Sequence, residues 1–146
     1  MLPSVAVAIT LLAAPAAPRE PPTAAPLAFE RLYSPGPKGA RIAPETQALG
    51  GRKVRMVGHM VRMELPPRAA FYLAARPVEA DESGGGTADL PPAVVRVEVP
   101  WIAGEVPWID GPVEVIGRLE LGRVEDDEGR VSWIRIVMEA PGGAPP

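Results

Sequence analysis

The sequence predicts an all-β domain, a small partly open barrel of five strands preceded by one short N-terminal helix. Five segments alternate apolar and polar residues at the two-residue period of half-buried strands, and no helical period is sustained. Glycine and proline, 15 and 20 of the 146 residues, interrupt the chain too often for long helices. The first and fourth strand segments each carry a central glycine, Gly58 and Gly117, as strands do that bend or bulge to serve both sides of a barrel. A small β-sandwich is the alternative, although an immunoglobulin-like sandwich needs about seven strands.

Taken in order, residues Met1 to Ala16 (MLPSVAVAITLLAAPA) have an apolar stretch followed by Ala14-Pro15-Ala16, the small-x-small form that signal peptidase accepts. A cleaved secretory signal is expected, since the run is shorter than the ~20 residues of a spanning helix. Residues 17–26, APREPPTAAP, form a proline-alanine linker unsuited to a sheet interior. The β-domain is expected over residues 27–139. Leu27, Phe29, Leu32 and Tyr33 suit either a short strand or one helical turn, broken by Ser34-Pro35-Gly36-Pro37. Ala43 to Leu49 reads as the short helix, with Pro44 near its first position and Gly50-Gly51 as its stop.

The first strand is Gly51 to Leu65, with the buried parity switching around Gly58. Pro66-Pro67 turns the chain into Ala69 to Ala75, where Phe71 and Leu73 oppose Tyr72. Arg76 to Pro92, acidic with three successive glycines, reads as a long mobile loop. In Val94 to Val99, Val95, Val97 and Val99 alternate with Arg96 and Glu98, giving one buried and one wet face. The connection from Pro100 to Gly111 contains a near-repeat, Pro100-Trp101-Ile102 and Pro107-Trp108-Ile109. Gly111 to Gly122 is the fourth strand, and Glu125 to Gly129 turns it into Arg130 to Met138. The tail over 140–146 has a disordered composition.

The net charge is −3, and no cysteine is present. A disulfide framework, a thiolate metal site, a cysteine nucleophile and a lipoprotein anchor are therefore excluded. Mild acidity gives no general attraction to nucleic acid.

With these residues in view, the chain resembles an uncharacterised bacterial family of exported domains with an OB-like barrel, a domain of unknown function. The resemblance rests on Leu49 to Met60, on Phe71-Tyr72-Leu73, on Pro91-Pro92 ahead of Val94 to Val99, and on Val113 to Gly117, spanning roughly residues 45 to 120. It implies a periplasmic accessory role, with some members linked to metal-uptake transporters. The family's usual Cys and His are missing here between Pro77 and Pro92.

Four residues are candidate ligand contacts: Trp101, Trp108, Tyr72 and His59. Paired tryptophans on a proline-stiffened connection suit either a binding surface or a plug for the barrel end, and the plug is favoured because large aromatics mostly serve burial. His59 is the sole histidine, and one imidazole cannot assemble a zinc site. The acidic residues Glu79, Asp81 and Glu82 lack the spacing of a calcium loop. Arg52, Lys53, Arg55, Arg62 and Arg68 cluster near the first strand, where OB domains place part of an oligonucleotide surface, but no aromatic platform accompanies them. No catalytic triad, phosphate loop or metalloprotease helix is evident.

The expected function is thus a non-enzymatic, exported binding or accessory module of the cell envelope, without cofactor or metal, whose partner is an envelope protein or a small ligand. A metal-uptake accessory and an oligosaccharide- or oligonucleotide-binding domain are the alternatives. The expected location is periplasmic or secreted.

Overall fold

The computed structural model describes residues 23–80 and 93–141. The segment expected to be a signal, most of the expected linker, the glycine-rich part of the 76–92 segment and the tail from 142 lie outside the described residues.

The architecture is a five-stranded barrel of OB type. Its strands are β4 (Lys53–Met60), β6 (Ala70–Ala74), β8 (Val95–Glu98), β9 (Pro112–Glu125) and β10 (Val131–Met138). They pair in the order β4-β6-β8-β10-β9, and β9 returns to β4. Only β8 and β10 are parallel within this ring. The closing seam is long, from Lys53↔Arg118 to His59↔Pro112. The β4–β6 seam is short, with only His59↔Ala74 and Met60↔Leu73, so the barrel is partly open there.

That opening is covered by the chain's entry. Strand β1 (Ala25–Pro26) runs parallel to β4 beside Val54 and Arg55, and the Leu27 amide donates to the Arg55 carbonyl at 2.9 Å. Ala25 and Pro26, assigned to the linker on composition, thus belong to the sheet. They sit at an edge, where proline's missing N–H is tolerated. A 3-10 turn at Phe29–Arg31 then drops Phe29 and Leu32 into the core. The structure therefore resolves the turn-or-strand ambiguity in favour of a turn.

Two elements follow in place of the expected break. Strands β2 (Tyr33–Gly36) and β3 (Gly39–Ile42) form a hairpin whose first pair, Tyr33↔Ile42, packs against the core. Burial pushes the Tyr33 phenol above its ordinary pKa of 10.0. A raised folded pKa means that the unfolded chain ionises first, so stability is retained below about pH 10 and lost as pH rises further. Tyr33→Phe is expected to flatten the fall in Tm above about pH 10 and leave it unchanged near neutrality, as read from melts across that range.

The short helix α1 (Pro44–Gln47) begins at a proline and ends at Ala48, and the turn that follows closes at Gly51, which adopts φ +78°. Thr46 is fully buried, and its hydroxyl donates to the Arg31 carbonyl at 2.6 Å, fastening helix to turn. Thr46→Val keeps the shape and orphans that carbonyl, so a loss of about 1 kcal/mol is expected in urea unfolding.

In β4, Val54, Met56, Gly58 and Met60 all face the core, so the parity runs unbroken through Gly58. The switch expected there comes at Met60-Val61, where both residues are buried. Gly58 has no positive φ and no bulge. A side chain is excluded because its Cβ would lie 2.7 Å from the Ala74 carbonyl oxygen and 2.9 Å from Phe29, where β6 joins β4. Among the described residues a bulge lies elsewhere. Between Leu121↔Ile134 and Val124↔Ser132, Gly122 and Arg123 face the single residue Trp133, and Gly122 adopts φ +117°.

The interior holds Leu32, Val54, Leu73, Val95, Val97, Leu119 and Ile136 with no exposed surface. Each such side chain contributes roughly 1.5–3 kcal/mol on burial. Among the described residues no helix is long and apolar enough to cross a membrane.

Candidate functional site

Strand β6 reads AFYLA and is buried along its whole length. Phe71 and Leu73 face the barrel core, while Tyr72 and Ala74 face outward into a second apolar cluster with Val61. Two short strands, β5 (Arg62–Met63) and β7 (Glu79–Ala80), pair in parallel nearby. Met63, Val78 and Val94 pack against the same cluster. This outer face of the second and third barrel strands is where OB domains commonly lay nucleic acid. Here the chain's own segments cover much of it.

Beside that cover a groove of about 420 Å³ opens. One wall is the chain after β4, including Arg62, Glu64 and Pro66-Pro67, and the other is the connection Glu105 to Trp108. Tyr72 lies in its lining. Ala69, the only described non-glycine residue with positive φ (52°), joins the two walls. Its amide donates to the Gly104 carbonyl and its carbonyl accepts from the Val99 amide, both at 2.7 Å. A left-handed alanine costs about 1 kcal/mol or more, so these two bonds hold a strained junction.

The Arg62 guanidinium lies over the Trp108 ring, 4.3 Å from its centroid. Glu64 and Glu105 have no ion-pair partner among the described residues. Below the rim, Arg96 donates to the Asp126 carboxylate at 2.9 Å and to the Tyr72 hydroxyl at 3.4 Å. Burial pulls the Arg96 pKa down, but the Tyr72 hydrogen bond and the charges of Tyr72, Asp126 and Glu98 raise it on balance above its ordinary value. Asp126 also accepts from the Glu128 and Arg130 amides at 3.0 and 2.8 Å. Arg130 then donates to the Leu65 carbonyl at 2.8 Å. The acidic turn between β9 and β10 is thereby tied to the wall that carries Pro66.

The structure separates the four sequence candidates. Trp108 and Tyr72 meet at the groove, whereas Trp101 and His59 are not in its lining. The favoured plug is corrected: Trp101 and Trp108 are 40% and 44% exposed, and Ile102 and Val106 pack against the core in their place. Tyr72, only 4% exposed, serves mainly as packing beneath the groove. His59 follows the outward parity of β4 and pairs with Pro112, at the closing seam.

Sequence reasoning missed Arg62, Glu64 and Glu105 as groove residues. The signal available was two proline sites, Pro66-Pro67 and Pro107, flanking charged and aromatic residues. Among the described residues no three His, Asp or Glu side chains converge on a common point. Compared with known proteins, the chain matches no family model, no curated protein and no solved structure.

Proposed function

We propose that the protein is a non-enzymatic binding module of the cell envelope, exported by its N-terminal signal, and that it acts through the groove beside Trp108. The observation that carries this reading is the stacked Arg62–Trp108 pair on an open groove with unpaired carboxylates. Exposed aromatic and arginine side chains that are already ordered are the residue types that dominate binding energies. The resemblance to exported OB-like domains of unknown function, stated from sequence, supports the same role.

A photo-crosslinking amino acid at position 108, expressed in the full chain in cells, tests the groove. Crosslinked species are expected in the envelope fraction, and far fewer when the probe sits at Val57 on the outer face of β4. Equal yields at both positions, or none at 108, would remove the groove from the function. N-terminal sequencing of the periplasmic protein tests export, and an intact Met1 would count against it.

A further inference from the structure

We propose that two copies of the chain pair through the free edge of β9, antiparallel and two-fold symmetric about Val124, with Arg123 of each copy set opposite Glu125 of the other. None of these residues lines the groove beside Trp108, so the pairing does not depend on what that groove binds. Strand β9 is longer than the seam that holds it to β4. Their register ends at Lys53↔Arg118, and the last bonds on that edge join Leu119 to Gly51 and Arg52 at 2.7 and 2.9 Å. From Glu120 to Glu125 the strand pairs with β10 alone among the described residues. The turn beyond it is fastened by Arg96 to Asp126 at 2.9 Å and by Arg130 to the Leu65 carbonyl at 2.8 Å. The arm is thus held in place before any partner arrives, and little ordering is lost when a strand adds to it.

The direction of the main-chain groups sets the register. The Asp126 amide donates to the Arg130 carbonyl at 2.9 Å, so Asp126 and, two residues back, Val124 turn their main-chain groups toward β10. Arg123 and Glu125 therefore turn theirs toward the open edge. A second β9 laid antiparallel, with Val124 opposite Val124, makes Arg123 and the second copy's Glu125 a hydrogen-bonded pair, and Glu125 with the second copy's Arg123 another. Between them the two valines form the closer, non-hydrogen-bonded pair. Val124 is 44% exposed in the single chain and gains an apolar neighbour there.

Charge selects a second copy as the occupant. Arg123 and Glu125 form a 2.9 Å ion pair within one chain, with both side chains about half exposed, where such a pair adds little to stability. In the two-fold arrangement each guanidinium also faces the second copy's carboxylate, and the four charges alternate in sign around the centre. Like charges at these two positions would repel a second copy, which is how guarded edges avoid pairing. Here the spacing of opposite charges makes the edge complementary to itself, and a two-fold contact needs only the residues already present. The contact is small, so the dimer is expected to be weak, with Kd on the order of 0.1 mM.

The test is sedimentation equilibrium of the full chain up to about 1 mM at low salt, with charge-swapped variants. Wild type is expected to dimerise, and Arg123→Glu and Glu125→Arg are each expected to weaken the dimer about tenfold or more, because each variant places like charges opposite one another. An equimolar mixture of the two variants should recover the wild-type affinity, since every substituted position then faces its opposite charge. Both positions are exposed, so each variant's melting temperature should stay within about 2 °C of wild type. The register is read separately by Val124→Cys, the sole thiol in a chain without cysteine. In the proposed pair the two α-carbons at position 124 are about 4.5 Å apart, within disulfide reach, so oxidised glutathione should give a linked dimer. Val57→Cys, 53% exposed on β4, should give far less. A monomer throughout the concentration range, association that survives both single substitutions, a mixture that fails to recover, or equal disulfide yields at 124 and 57 would each overturn the proposal.

Discussion

Gly117→Ala is expected to lower stability by about 3 kcal/mol or more, the largest effect of any single methyl group in this barrel. Gly117 lies where β9 has neighbours on both edges, paired with Val54 of β4 and with Met138 of β10. Its backbone is not in the left-handed region, so alanine's own conformational preference raises no objection. Space raises it, because an added Cβ would run into the Val137 carbonyl group and lie 2.9 Å from the Ile136 side chain. A flexible side chain could yield, but a carbonyl in the β9–β10 ladder cannot move without breaking the ladder.

Gly122, on the same strand, provides the control. It has φ +117° and no atom within 4 Å of an added Cβ, so Gly122→Ala incurs backbone strain alone. That strain is worth about 1–2 kcal/mol. Urea unfolding of both variants should therefore rank Gly117→Ala as clearly the worse. Equal losses, or a loss below about 1 kcal/mol at Gly117, would mean that the barrel gives way at this point more readily than close packing allows.

Arg135→Leu is expected to cost about 2–4 kcal/mol, a fall in Tm on the order of 10 °C or more for a domain of this size. Arg135 stands on the outward parity of β10 yet is only 5% exposed. The bulge at Gly122 explains its position. Bulging takes the Gly122 carbonyl out of the β9–β10 ladder, and Arg135 donates to it at 2.8 Å and to the Ser132 carbonyl at 3.2 Å. Glu120 stands 3.9 Å from the same guanidinium and offsets its charge. Leucine would keep much of the packing and leave both carbonyls without that donor, each costing roughly 1–3 kcal/mol where water cannot reach. Arg135→Lys should recover only part of the loss, because one ammonium cannot reproduce the planar fork. A wild-type melting temperature for Arg135→Leu would show that water reaches the bulge.

Much of the barrel was legible because the strands announce themselves locally. The alternation of Val95, Val97 and Val99 with Arg96 and Glu98 requires one buried face whatever the neighbours are. The β2–β3 hairpin was not legible. Pro35 and Pro37 read as breakers, yet proline is acceptable in a two-stranded edge hairpin, and Gly39 at φ +106° completes its turn. Arg135 and Arg96 both stand on outward parity, which normally means solvent. Only the bulge and the acidic turn folding back over β8 make them partly or wholly buried.

For the candidate site, residue type was legible and location was not. The tryptophans drew attention as aromatics on a stiff connection, but local pattern cannot separate a plug from a rim. The choice was decided by Ile102 and Val106, which pack against the core, while Trp108 stays exposed and meets Arg62, a residue far away in sequence. By itself the sequence determined strand content and the absence of any cysteine chemistry, and it singled out the mid-strand glycines 58 and 117, though as bends. The tertiary structure alone decided why glycine is needed there, which outer face is covered, and which charged side chains flank the groove. The physical reason is that periodicity records whether a residue faces a core, whereas a site arises from contacts between distant segments.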